Sequence, residues 1–422
     1  MERPIGLKKG FRTPFVKKDT YFSSLNAVEL STQLVDALLE KTDISQEYIQ
    51  HVIWGMVVPD PNIYSVAREV VLTSKLPNEI EAYSVSRACA TSLQSTTNAV
   101  SYYHSFPEEK SVSLVGGVES FSAVRPVLTD QASNYFKSLV LKGSVFQKLG
   151  RMLSIPFSKL MPVPPAAREY STGLTMGEHC ELMVKEFKID RKRQDAFALA
   201  SHQNATKARE EIQSQILDIC GVNKDTLIRH DSSMEALGTL RPAFDRQAGS
   251  ITAGNSSPYT DGAAALFVVS PALEEVVTPD VYMKDYEYVG FNPQDGLLMG
   301  PGKAMLRILE RQNIKWSDLD YIEMHEAFAG QVLCNVEAVN SSDYRSNKYG
   351  VSYDAGQLSE ENLNPWGSSL AYGHPFGATG ARMLSQTIAY LEKTGKSLGL
   401  IAACTAGGLA GACLIERLSS RT

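Results

Sequence analysis

Between Leu25 and Val115 the chain alternates helical and strand spacing, and this restricts the possible folds more than any other feature of the sequence. Leu25–Leu39 sets apolar residues at helical spacing, Val52–Val58 is an apolar run of strand length, Ser65–Ser74 reads as helix and Ile80–Ser86 as strand. A helix rich in small residues is expected from about Cys89 to Tyr103, then a strand at Ser111–Val115 ending in Gly116-Gly117. Such alternation builds βαβ units around a buried sheet. The last third repeats the theme: strands are expected at Val281–Val289 and Tyr321–Met324, with a helix at Ala304–Gln312 between them and another from about Gly380 to Lys393. The two ends share a plan with little visible identity, so an internal duplication is only partly supported by pattern.

One long uncharged run, Ser397–Ile415 (SLGLIAACTAGGLAGACLI), has the nominal length of a membrane span. Gly407-Gly408 splits it, and many of its residues are small, so two buried strands joined by a glycine turn explain it better than a transmembrane helix. Met1–Phe15 carries Glu2 and Pro4 and lacks a continuous apolar stretch, so it is a poor signal peptide. A chain of 422 residues has room for two or three domains, and its net charge of −6 argues against nucleic acid as the main partner. The six cysteines are scattered, which suits reduced thiols in a cytoplasmic setting better than a secreted disulfide framework.

The middle of the chain breaks the rhythm. From Gln131 to Arg168 there are six cationic residues and no acidic one, interleaved with apolar residues from Phe136 to Phe157 and punctuated by Pro156, Pro162, Pro164 and Pro165. A charge run of this kind is ordinarily a solvated loop. On a helix it would instead give an apolar face bordered by Lys and Arg, suited to a membrane interface or to a partner chain. Residues 120–249 therefore read as an excursion from a first sheet domain, 1–119, which the chain re-enters at 250–273 before a second domain at 274–422.

Several short segments carry chemistry. Cys89, in SVSRACATSLQS, is expected at a strand-to-helix junction, where unpaired backbone N–H groups stabilise a thiolate. From this segment alone, a small buried hydrophobe is the commoner explanation of a lone cysteine. His374 sits among glycines in GHPFGATGA, which permits tight turns and close backbone approach; a turn histidine bonded to backbone would look the same. Cys404 ends an apolar strand before Ala406-Gly407-Gly408, a position equally open to a buried strand cysteine such as Cys413. In Met324-His325-Glu326-Ala327-Phe328-Ala329 an alanine occupies the second histidine position of a zinc HExxH motif, so the metal reading fails. Gly302-Lys303 lacks the upstream glycine of a P-loop, and His179-Cys180 has no second ligand pair.

Taken in order, SRACATS, GNSSPYTDGA, HEAFAGQ, AYGHPFGATGAR and CTAGG resemble the thiolase family. The resemblance runs from Arg12-Thr13-Pro14-Phe15 to the final strand and leaves no room for a transit peptide. Most thiolases carry asparagine where this chain has His325. That histidine, with Leu160–Gly173 (LMPVPPAAREYSTG), is similar to the branch formed by β-subunits of the fatty-acid oxidation, or trifunctional-enzyme, complex.

The resemblance implies an α/β thiolase fold of two similar five-stranded βαβαβαββ domains in α-β-α-β-α layers, with an inserted loop domain over coenzyme A. It implies thiolytic cleavage of 3-oxoacyl-CoA to acyl-CoA and acetyl-CoA, with coenzyme A as co-substrate and no resident cofactor or metal. Cys89 matches the family nucleophile, His374 the base that activates it, and Cys404 the acid/base for the leaving acetyl-CoA and the incoming CoA. One oxyanion site would use His374 with His325, or a water that His325 positions; the other would use the backbone N–H groups of Cys89 and Ala406, where most thiolases have glycine. Ser257 would lie near the pantetheine. Expected partners are a second copy of the chain, a hydratase/3-hydroxyacyl-CoA dehydrogenase α-subunit and, through 131–168, a membrane surface. Alternatives are a biosynthetic acetyl-CoA C-acetyltransferase, a β-ketoacyl synthase, which would not need the Cys404 thiol, and a non-catalytic acyl-CoA binding protein.

Overall fold

The computed structural model describes residues 4–141, 159–163 and 168–418. The chain divides into two compact units, one formed by 1–123 with 169–422 and the other by 124–168. The larger unit contains strands β1 (Ile5–Lys8), β2 (Val16–Lys17), β3 (Ile49–Gly55), β4 (Glu81–Val85), β5 (Val112–Glu119), β6 (Thr260–Val269), β7 (Val281–Gly290), β8 (Tyr321–Met324), β9 (Leu398–Thr405) and β10 (Leu409–Glu416). Its longer helices are α1 (Ala27–Lys41), α2 (Val66–Thr73) and α3 (Thr91–Ser105), then, beyond α4 (Asp130–Leu141) of the small unit, α5 (Met176–Glu186), α6 (Arg191–Lys207), α7 (Gly300–Gln312), α8 (Ala329–Asn340) and α9 (Thr379–Thr394).

The strands lie in the order β4-β3-β5-β6-β1-β7-β10-β9-β8, with β2 paired to β6. The order contains the same plan twice. In the first half β3 runs parallel to β4 and β5, and β6 is antiparallel to β5 and β1. In the second, β8 runs parallel to β9, and β10 is antiparallel to β9 and β7. The counterpart of β4 is reduced to an isolated parallel bridge between Ile322 and Leu363, so the second half has four strands and a bridge where five strands are expected. The halves are joined through β1 and β7, with Gly6 opposite Tyr282.

Burial explains the layers. The apolar faces of α1 and α2 close one cluster against β3, β5 and β6, including Leu30, Leu34, Val70 and Leu114. A second cluster packs α3 and α9 between the halves, through Leu93, Val100, Leu384 and Ile388. A third holds α7 and α8 against the outer face of the second half. Ser397–Ile415 is indeed two buried strands: along β9, Leu400 and Ala402 face the outer cluster and Ile401 and Ala403 the central one, so both faces must be apolar. Among the described residues no helix is long and apolar enough to cross a membrane.

One expectation changes. The strand read as Ser111–Val115 continues through the glycines to Glu119. A Cβ on Gly116 would stand 2.6 Å from the Trp54 ring, and one on Gly117 2.2 Å from the carbonyl oxygen of Gly377, so close approach rather than a turn requires glycine there. Residues 169–249 belong to the larger compact unit and 124–168 form the smaller one. Of the basic stretch 131–168, α4 covers the beginning; Lys142, Lys148 and Arg151 lie outside the described residues.

Candidate active site

Cys89, between β4 and α3, and His374, before α9, are brought together where these two helices begin. Cys89 lies just before α3, after Ala88, whose φ of +43° is a left-handed conformation unusual for alanine. The helix is capped at Ala90 by no side chain. His374 lies before α9, its backbone N–H bonded to the carbonyl of Pro258 at 3.1 Å and to Oγ1 of Thr260 at 3.0 Å. The two helix starts lock together through the Ala381 N–H, which donates to Oγ of Ser92 at 2.8 Å. A Cβ on Gly380 would come within 2.6 Å of the Leu93 nitrogen, so only glycine permits this approach.

Cys89 Sγ lies 3.1 Å from His374 Nε2, and His374 Nδ1 lies 2.7 Å from the Thr379 hydroxyl. With Nδ1–H donating to Thr379, Nε2 is left to accept the thiol proton. Burial, then His325 and Arg382, holds the His374 pKa well below its usual value, so the ring is neutral. Burial pushes the Cys89 thiol up to about 12, although the backbone N–H groups of Cys89 and Ala406 bond to it and pull the other way. The lowered thiol pKa expected from the helix terminus is therefore reversed: desolvation wins.

A cavity of about 190 Å³ opens on this pair. Its wall includes Cys404 and Ala406, Ser257, and the apolar side chains of Met176, Phe244 and Phe376. Cys404 is buried at the end of β9, paired with Ala410, and burial followed by the neighbouring Cys89 keeps its thiol protonated. Ala406 has no left-handed φ, so alanine fits there without backbone strain, and its N–H reaches Cys89. The Ser257 hydroxyl donates to the Ala327 carbonyl at 3.1 Å.

His325 stands behind His374, ring centroids 4.1 Å apart, and is not itself on the cavity wall. Its Nδ1 meets the Ser369 hydroxyl at 2.9 Å, while its Nε2 is buried without a partner. Burial and then Arg382 lower its pKa to about 3. A ring nitrogen of each histidine and Cys89 Sγ lie within 4.8 Å of one another. A Cys-His-His set could in principle hold zinc, but two ligands on a tetrahedral zinc stand about 3.5 Å apart. The 3.1 Å separation of Sγ and Nε2 is instead that of a hydrogen bond.

Sequence reasoning missed Glu119, at the end of β5. Its carboxylate accepts from the backbone N–H groups of Val57, Val58 and Gly377, tying the cavity-lining segment at Val57 to the turn after His374. Burial raises its pKa to about 7. It follows a Gly-Gly pair that reads as the end of the strand, which hid it. Phe376 stood inside a motif already singled out, whereas nothing local marked Met176 or Phe244.

Comparison with known proteins agrees with this arrangement. Residues 7–272 match the family model "Thiolase, N-terminal domain" and residues 277–417 match "Thiolase, C-terminal domain". The chain is 40% identical to a 3-ketoacyl-CoA thiolase of Aliivibrio fischeri, covering 98% of this chain and 95% of that protein. It is 37% identical to one of Vibrio cholerae, covering 98% and 97%. Among solved structures, the human mitochondrial 3-ketoacyl-CoA thiolase in complex with CoA is similar with a TM-score of 0.83 at 25% identity, covering 99% of this chain and 98% of that one. The Bacillus anthracis acetyl-CoA acetyltransferase is similar with a TM-score of 0.83 at 26% identity, covering 99% of each chain.

Proposed function

The chain belongs to the thiolase family of acyltransferases, and from that premise we propose that it cleaves 3-oxoacyl-CoA with coenzyme A, giving acetyl-CoA and a shortened acyl-CoA in fatty-acid β-oxidation. The observation that carries the reading is the 3.1 Å contact between Cys89 Sγ and the neutral His374 on the wall of a cavity shared with Cys404.

The steps follow from proton bookkeeping. A thiol whose pKa is near 12 is a poor nucleophile until it loses its proton, so His374 Nε2 takes it as Sγ attacks the C3 ketone. The C3 oxyanion is held by the N–H groups of Cys89 and Ala406, which already point at this sulfur. The C2–C3 bond then breaks with its electron pair on C2, delocalised onto the thioester oxygen, which His374 and His325 stabilise. Cys404 protonates C2 and releases acetyl-CoA. Its thiolate then takes the proton of an incoming CoA thiol, which attacks the acyl-Cys89 carbonyl, and Cys89 leaves to be reprotonated by His374. Ser257 lines the pantetheine path, and Met176 and Phe244 give the cavity its apolar side.

A homodimer is the assembly this reading favours. Strand β4 hydrogen-bonds to β3 on one side alone among the described residues, and Tyr83 on it is exposed. Such an edge is open to pairing with a second copy. For an α-subunit or a membrane surface, the support is the exposed Val127, Leu128, Phe136 and Met161 of the small unit.

Steady-state kinetics with a 3-oxoacyl-CoA and CoA as varied substrates test the reaction. Parallel double-reciprocal lines, with acetyl-CoA and an acyl-CoA two carbons shorter as products, are expected. Intersecting lines, or condensation from a malonyl thioester at a comparable rate, would refute it.

A further inference from the structure

We propose that Ser369 and Arg382 are positioning residues that fix His325 in the tautomer protonated at Nε2, so that this histidine aims an N–H at the reacting centre and reaches the thioester oxygen of the substrate directly or through one water. The proposal rests on the thiolysis reading for its substrate, but its geometry stands alone.

The argument is a count of donors and acceptors. A guanidinium only donates. Arg382 is buried and pairs through Nη1 with Oε1 of Glu323. Its Nη2 donates to the hydroxyl oxygens of Ser368, at 3.1 Å, and Ser369, at 3.0 Å. The Ser368 hydroxyl passes its own proton to Glu323 Oε1 at 2.7 Å, and Glu323 Oε2 accepts from the Tyr321 hydroxyl at 2.8 Å. Ser369 Oγ, already an acceptor from Arg382, still has a proton to place. Among the described residues its acceptor is Nδ1 of His325, 2.9 Å away. A nitrogen that accepts there carries no proton, so in the neutral ring the proton is on Nε2.

That Nε2 is one of several buried polar atoms left without a partner, Nε of Arg382 among them, and it is the one that stands beside His374 and Cys89. A buried donor with no acceptor is costly in a resting protein, and one placed at a reacting centre is met by a substrate or a water. The neighbouring guanidinium also opposes a second proton on the ring, in keeping with the low His325 pKa. The same tautomer takes Nε2 away from any metal. The chain Glu323–Arg382–Ser369–His325 thus runs from the buried strand β8 and helix α9 to the reacting centre, and a passive packing role would require no such direction of protons.

The test is the ring-nitrogen spectrum of protein labelled with ¹⁵N-histidine, seven residues in all, with His325 assigned by its loss in His325→Asn. The unaltered enzyme, free of substrate at neutral pH, is expected to show His325 protonated at Nε2 and bare at Nδ1. In Ser369→Ala the signature becomes a mixture, and kcat/KM for thiolysis falls about tenfold. In the His325→Asn background, where there is no tautomer to set, Ser369→Ala changes kcat/KM by no more than about twofold. A His325 protonated at Nδ1 in the unaltered enzyme, or an equal fall in both backgrounds, would overturn the proposal. The spectrum needs no substrate, so a protein without thiolysis but with the Nε2–H signature would count against the activity and support the tautomer.

Discussion

At Cys89 two effects of opposite sign act on one thiol. The start of α3 offers N–H groups that favour a thiolate, and the position before a helix could be read from SVSRACATS. The burial that reverses the outcome depends on packing against the second half, which no local segment encodes. Cys89, His374 and Cys404 were legible because the short motifs that hold them, SRACATS, AYGHPFGATGAR and CTAGG, stand along the chain in the order of the thiolase family. The Ser369–Arg382 connection was not, since it depends on three-dimensional hydrogen bonding between residues that look like ordinary helix and turn positions. If Cys404 handles the proton at C2, Cys404→Ala should still acylate Cys89 but lose turnover by about 10²–10⁴-fold, measured as a retained acyl adduct with little steady-state thiolysis. His325→Asn should keep activity within about tenfold of the parent, because an asparagine amide can also donate to an oxyanion. A folded but inactive His325→Asn would show that the histidine does more than donate.

Among the elements, β5 differs most from its sequence reading. Gly116-Gly117 looks like a terminus by composition, yet both residues lie inside the strand because the Trp54 ring and the Gly377 carbonyl leave no room for a side chain. Helix and strand type could be read wherever the apolar period was long, as in α1 and α9, and β8 appears with its expected ends. Element ends set by tertiary contact were less legible. Gly117→Ala should therefore act on the site from a distance. The new Cβ presses on the Gly377 carbonyl and displaces the turn that carries His374, lowering stability by about 1–3 kcal/mol and kcat/KM together. Thermal denaturation with kinetics on the same preparation checks this, and unchanged values for both would contradict it.

Across the whole molecule, the two-fold repetition of plan was only partly legible, because the halves share topology and burial rather than residues. Its reduced member, the Ile322–Leu363 bridge, lies where Asn364 begins the network around Glu326. Glu326, beside His325, is buried and its pKa is raised to about 7, chiefly by desolvation. In the unfolded chain this group ionises near 4.5 and in the folded one near 7, so raising pH through that interval favours the unfolded chain by about 3 kcal/mol. Buried His202 and His325 have lowered pKa values of about 4 and 3 and act in the opposite direction over an overlapping range. The informative quantity is thus the difference between parent and Glu326→Gln. Urea denaturation should show the variant gaining relative to the parent between about pH 4.5 and 7.5. A pH-independent difference would contradict the placement of an ionising carboxyl in this network.

The central claim is that Cys89 carries the acyl group between the two half-reactions. Intact and peptide mass spectrometry of the protein mixed with a 3-oxoacyl-CoA in the absence of free CoA tests it directly. The account predicts one added acyl group, shortened by two carbons, on the peptide containing Cys89, removed by adding CoA and absent from Cys89→Ser. An adduct on Cys404 or Cys180, or turnover by Cys89→Ser at the parent's rate, would contradict it.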